Sequence, residues 1–216
     1  MRDSHDILTD PPPPAASARV AYGPGPLQFG DLRVPDGTGP FPLAVVLHGG
    51  YWQATYNLIH TGHLCVAFAQ AGVATWNLEY RRVGDPGGEW PGAGDDLGLA
   101  LSHLARLSLD HDGRSVLLGH SAGGQLALWA ARRSGLPVVA TRHGGIPEAV
   151  EDGRSGLLAE QRDDAGLAAA MLRLAEEPSL YEEMSRAASS RVREAFDIDQ
   201  QARVLERYVI TFRRAG

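Results

Sequence analysis

The residues best equipped for chemistry lie in Gly119-His120-Ser121-Ala122-Gly123-Gly124. An apolar run, Ser115-Val116-Leu117-Leu118, leads in, and a helical pattern from Gln125 to Arg133 leads out. Strand, tight turn and helix with a serine at the apex give G-x-S-x-G in the context a nucleophilic serine needs. Side chains at positions 119 and 123 would collide with a neighbouring strand or helix, so glycine there leaves room for a strained turn. The turn lifts Ser121 clear of a sheet, and the backbone N–H of Ala122 is expected to face a developing oxyanion. The competing reading of these six residues is a plain Gly-rich strand-to-helix turn. A second motif weighs against it, because His48-Gly49-Gly50-Tyr51-Trp52 directly follows the apolar run Leu43 to Leu47. A glycine pair at that place lets the N–H groups of Gly49 and Gly50 approach a substrate oxygen closely. His48 is expected to orient that loop, not to act as a base. Here too the plainer reading is an ordinary turn beside a buried aromatic.

Positioning these groups requires alternating strands and helices. Arg19 to Val34 holds two short strand-like pieces around Gly23-Pro24-Gly25-Pro26. Leu43–Leu47 and Val73–Leu78 read as strands buried on both faces. Asn57 to Gln70 reads as a helix ended by Gly72, and Asp95 to Leu107 as an amphipathic helix after a Gly- and Pro-rich loop. Pro137 to Thr141 and Gly156 to Ala159 are further short strands, separated by the turn-rich segment Gly144 to Ser155. From Asp164 to Arg214 the pattern is helical, with breaks near Pro178 and near Phe196-Asp197-Ile198-Asp199. The alternation predicts an α/β fold of three layers, α/β/α, around a mostly parallel sheet.

At 216 residues with a net charge of −6 and no Lys/Arg cluster, the chain has length for a sizeable core and no electrostatic footprint for nucleic acid or an anionic membrane. The single cysteine, Cys65, sits in a helical pattern, so no intramolecular disulfide is possible and a reducing compartment fits. Residues 1–18 read as a disordered, polar and Pro-rich tail without an apolar signal region, which gives a cytoplasmic expectation. No metal or cofactor is expected. The oligomeric state stays open.

Between about Tyr22 and Arg133 the chain resembles the α/β-hydrolase family of esterases and kynurenine formamidase-like enzymes. The likeness rests on His48-Gly49-Gly50-Tyr51-Trp52, Asn77-Leu78-Glu79-Tyr80-Arg81-Arg82, Gly84-Asp85-Pro86-Gly87-Gly88-Glu89-Trp90-Pro91 and the turn at Ser121, in that order. It implies Ser121 as nucleophile, the N–H groups of Gly49, Gly50 and Ala122 as oxyanion donors, and a small-molecule ester or amide as substrate. Glu79-Tyr80-Arg81 is implied as a structural, pocket-lining loop, although a polar loop at a strand end explains it equally well.

Downstream, the pattern changes. Hydrolases of this kind run Ser, Asp or Glu, then His. After Ser121 the only histidine is His143, and no carboxylate lies between the two. Without a base, a serine hydroxyl is a poor nucleophile at neutral pH. Gly135-Leu136-Pro137-Val138-Val139-Ala140-Thr141, Gly144-Gly145-Ile146-Pro147-Glu148, Val150-Glu151-Asp152-Gly153 and Gly156-Leu157-Leu158, with the Phe196-Asp197 region, instead resemble the C-terminal end of group 1 GT-B glycosyltransferases. That resemblance implies that Gly144, Gly145 and Glu148 derive from the wall of a sugar-nucleotide site. The family's paired glutamates would fall at Ala122 and Ala130, which carry no carboxylate.

The chain therefore reads as two joined pieces, a truncated hydrolase over 19–134 and a glycosyltransferase-like segment with Rossmann-like strands over 135–216. Parallel strands would place His143 and the Glu160-Asp163-Asp164 region on the edge where Ser121 projects, suggesting an improvised Ser121–His143–Glu160 set. The alternative for His143 is a solvated loop residue, while His111 and His120 fit a base less well. The expectation is a serine hydrolase of little or no activity. A nucleotide-sugar-binding fragment and a catalytically inert hybrid are the competing readings. If the two pieces fail to share a core, Leu167, Met171, Leu172 and Leu174 lack a partner sheet.

Overall fold

The computed structural model describes residues 10–134 and 137–195. Among them, β1 (Ala18–Ala21), β2 (Phe29–Arg33), β3 (Phe41–Leu47), β4 (Ala74–Leu78), β5 (His111–Gly119), β6 (Val138–Thr141) and β7 (Gly156–Ala159) form one sheet. Its order is β1-β2-β4-β3-β5-β6-β7. β1–β2 and β2–β4 pair antiparallel, and the other neighbours pair parallel. The helices are α1 (Gly62–Gln70), α2 (Gly92–His103), α3 (Ala122–Ser134), the single turn α4 (Ile146–Ala149), α5 (Asp164–Glu176) and α6 (Pro178–Ala195). The three-layer, mostly parallel α/β reading holds. The expected break near Phe196 and all of 196–216 lie outside the described residues, as do residues 1–9 and the start of the expected second piece, Gly135-Leu136.

Side-chain alternation along β3 builds two cores. Leu43, Val45 and Leu47 join Trp76, Leu78, Leu97, Leu117 and Leu126 on the face covered by α2 and α3. Ala44 and Val46 face the other way, toward Cys65 and Phe68 of α1. That second core also holds Val139, Leu157, Met171, Leu174 and Met184, with Leu167 and Leu172 packed at its margin. The residues that would have been stranded by separate pieces thus lie on the same sheet as β3. Tyr181 of α6 clips the two together: its hydroxyl donates to the Ser115 carbonyl at 2.9 Å and accepts from the Ser115 N–H at 3.2 Å. Cys65 is fully buried, and burial pushes its thiol up to about 12, as suits an inert core residue.

Local differences from the sequence reading have local causes. Asn57 to Gln70 is not one uniform helix. The Asn57 side chain accepts from the Ile59 N–H at 3.0 Å and opens a 3-10 turn, Leu58–Thr61, before α1. Thr61 then turns its hydroxyl to Leu58 and Asn77, not to a helix cap. α2 begins at Gly92, ahead of the expected Asp95, which falls in its first turn, where a carboxylate favours the positive end of the helix dipole. Pro178 separates α5 from α6 by occupying a first helical position. Asp10–Ser17, part of the tail expected to be disordered, instead lies along the body. Pro14 accepts from Arg33 Nη2 at 2.8 Å, the Ser17 hydroxyl accepts from the Val34 N–H at 3.0 Å, and Pro13 packs on Gly62.

From β3 the chain moves to β4 on one side and later to β5 on the other. The order reverses at β3, so a crevice opens beyond the C-terminal ends of β3 and β5, where open α/β sheets bind ligands. Both glycine motifs lie there.

Candidate active site

Ser121 follows the end of β5 with φ +53°, a left-handed conformation that costs a non-glycine residue on the order of 1–3 kcal/mol. Neighbouring glycines make the turn sterically feasible. A Cβ on Gly123 would overlap the carbonyl oxygens of Leu47 and His48, both rigid backbone, so α3 packs on the end of β3 only because that side chain is missing. The His120 N–H donates to Leu47 O at 3.1 Å, tying the turn to β3. Gly123 and Gly124 donate back to His120 and Ser121 carbonyls, each at 2.9 Å. The serine itself is exposed at the apex.

The second glycine motif closes over this turn. A Cβ on Gly49 would stand 2.7 Å from His120 Nδ1 and 3.0 Å from Ser121 Cβ, so the loop after β3 touches the serine. Gly50 has φ +120°, and Tyr51 and Trp52 follow with φ +54° and +57°. Among the described residues, the N–H groups of Gly49 and Gly50 donate to no protein acceptor, and that of Ala122 heads α3, where helix geometry supplies none. All three expected donors stand at the same sheet edge as Ser121.

His48 holds the loop from below, as its position suggested. It is fully buried, with Nε2 3.0 Å from Glu79 Oε1 and Nδ1 2.7 Å from Gly49 O, leaving no ring nitrogen for Ser121. Tyr80 stacks on the imidazole at 4.4 Å and donates to His48 O at 2.6 Å. Glu79 is further bound by Arg82 Nη1 at 3.0 Å, and its second oxygen accepts from the Leu58 N–H at 3.3 Å. Arg81 grips the fully buried Asp96 through its backbone N–H at 2.9 Å and Nη2 at 2.7 Å, while Gln28 donates to the same carboxylate at 2.7 Å. Glu79-Tyr80-Arg81 is therefore a buried scaffold under the glycine loop. The long-range partners His48 and Asp96 carried no local sequence signal for it.

Ser121 and His143 each stand two residues beyond neighbouring parallel strands, β5 and β6. Ser121 Oγ makes no hydrogen bond to a described residue, and the His143 ring, which is exposed, makes none either. Glu160 is engaged elsewhere: Arg142 Nε lies 3.0 Å from its carboxylate, and the same guanidinium pairs with Asp152. Thus the structure puts Ser121 and His143 on one edge without joining them, and it turns Glu160 to Arg142. Gly144, Gly145 and Glu148 sit on the exposed turn around α4, and nothing lies within 4 Å of where a Cβ of either glycine would stand. His120, whose ring packs on Gly49, is held below its ordinary value by burial and then by the nearby His48.

Comparison with known proteins finds two families whose matches overlap in the middle of the chain. The BD-FAE family model matches residues 31–145, and the model for group 1 glycosyl transferases matches residues 115–177. The two overlap over the strand–turn–helix–strand unit that carries Ser121. A curated relative, the putative colanic acid biosynthesis glycosyltransferase WcaL of Salmonella typhimurium, is 43% identical over 114 residues, 49% of this chain and 27% of that protein. Glycogen synthase of Mycobacterium tuberculosis is 36% identical over 98 residues, 45% of this chain and 24% of its own length. The chain thus spans about a quarter of each. Among solved structures, esterase B from Lactobacillus rhamnosis shares the fold at 18% identity and a TM-score of 0.53, over 84% of this chain and 65% of that one.

Proposed function

This chain belongs to the BD-FAE family, and from that premise we propose that it is a serine hydrolase for small carboxylic esters or amides. In this reading Ser121 Oγ attacks the carbonyl carbon, and the N–H groups of Gly49, Gly50 and Ala122 receive the oxygen as it becomes negative. The leaving alcohol or amine departs with the proton taken from the serine, and water then releases the acid. The observation that carries the proposal is how closely the Gly49 backbone runs past the strained serine turn, leaving no room for a side chain there: a Cβ on Gly49 would stand 3.0 Å from Ser121 Cβ.

Proton removal is the weak step. His143 is the histidine after the nucleophile in chain order, and its exposed ring makes no hydrogen bond to Ser121. Glu160 supports it only after leaving Arg142. Turnover is therefore slow, because the binding elements alone leave a residual rate on the order of 10³–10⁴-fold over water in a well-formed site. Labelling with a fluorophosphonate probe tests this reading. Labelling of the wild type that disappears in both Ser121→Ala and His143→Ala supports an activated Ser121 with His143 as its base. Labelling lost only in Ser121→Ala removes His143 from the mechanism. A folded wild type that takes no label refutes the hydrolase.

A further inference from the structure

A cavity of about 380 Å³ lies beside β1 and β2, with β4 and β3 between those strands and β5, which leads to Ser121. It borders Asp31 and Arg33 of β2, which pair with Asn77 and Thr75 of β4. The segment Pro12–Ala16 forms one wall, and Leu58, Ile59 and Gly62 form another. Arg33 is only 6% exposed. Its Nη2 donates to Pro14 O at 2.8 Å, but Nε and Nη1 have no acceptor among the described residues. The neighbouring carboxylate is already taken, since Asp31 accepts from Arg19 Nε at 2.7 Å and Nη2 at 3.0 Å. The charged groups of the lining are thus two guanidiniums and one carboxylate, and the rest is mostly proline, alanine, leucine and isoleucine.

A desolvated cation with unmet N–H groups is costly, and an anion that reaches it removes that cost. We propose that this cavity binds a small carboxylate with a short apolar tail. Nε and Nη2 lie on one edge of the planar guanidinium. A carboxylate that displaces the neutral Pro14 carbonyl from Nη2 and fills Nε makes the bidentate pair for which arginine is shaped, with charge-assisted bonds stronger than the one lost. A single surplus charge and apolar walls favour a monoanion with a hydrocarbon tail over phosphate. The Pro12–Ala16 segment then acts as a strap whose hold on Arg33 the ligand exchanges for its own.

The test is thermal denaturation of the full chain with butanoate, 1-butanol or inorganic phosphate, at ionic strength held constant with chloride. A saturable rise in midpoint with butanoate is expected, following the mass-action form for a ligand of the native state, with no such rise for butanol or phosphate. Arg33→Met should weaken butanoate at least tenfold, and so should Ile59→Trp, which fills the cavity from a half-exposed position and leaves Arg33 in place. Ser121→Ala should keep the full response, separating this site from the serine. No saturable butanoate effect on the wild type, an undiminished effect in Ile59→Trp, or a response to phosphate alone overturns the proposal.

Discussion

Replacing Leu174 with alanine tests whether the glycosyltransferase-like helices and the hydrolase sheet form one cooperative body. Leu174 is fully buried on α5, in the core that also holds Ala44, Val46, Cys65 and Phe68. Truncating a fully buried leucine costs about 2–5 kcal/mol, according to how far the surroundings relax. In a domain of this size, roughly 2–4 °C of melting temperature goes with each kcal/mol, so the midpoint should fall by roughly 4–20 °C. The useful probe is built into the chain: all four tryptophans, Trp52, Trp76, Trp90 and Trp129, precede residue 135. Trp76 is fully buried in the core on the opposite face of the sheet. Tryptophan emission therefore reports the hydrolase part, and the substitution sits in the other part. With one core, emission and far-ultraviolet circular dichroism move together to the lower midpoint. Leu99→Ala, at a site 39% exposed, is the control and should shift it by no more than about 0.5 kcal/mol. An emission midpoint that stays at the wild-type value in Leu174→Ala, while dichroism loses helix early, refutes the single core.

Two further outcomes follow from buried charge. Asp96→Ala removes the fully buried acceptor of Gln28 and of the partly exposed Arg81, so a loss of about 1–3 kcal/mol is expected from chemical denaturation; a loss below about 0.5 kcal/mol would mean the network is replaceable by water. His120 is held below the ordinary 6.5 by burial and by His48, so the fold favours its neutral ring. That contribution is complete above pH 6.5 and fades as pH falls toward the lower folded value. His120→Gln should flatten this part of the stability curve in urea midpoints measured across a pH series, and an unchanged slope on the acid side would rule the explanation out.

The overlap of the two family matches over 115–145 has a physical sense. In this chain the shared stretch is a parallel strand, a turn and a helix, and β6 pairs with β5 at Leu117–Val138 and Leu118–Val139 as a next parallel strand would. Right-handed crossovers and buried apolar strands are shared requirements of open α/β sheets, so one sheet accepts strands of either origin.

What the amino-acid order determined by itself is local. Strand and helix periodicity, the glycines that Ser121 and the loop after β3 require, and the apolar runs of β3 and β4 depend on residues a few positions apart. Those features gave the layers and the serine turn. Only the tertiary structure decided that α5 and α6 would share the core of β3, because Tyr181 meets Ser115 and Met184 meets that sheet across long stretches of chain. It also decided that Asp10–Ser17 would lie against Arg33, where composition pointed to a disordered tail. The relation of His143 and Glu160 to Ser121 belongs to the same class. Strand order sets the edge on which they stand, but side-chain directions follow from competing partners, and Arg142 takes Glu160. A tight serine turn is written in glycines close to one another in the chain, whereas the partners of that serine are set by groups that meet only when the whole sheet has closed.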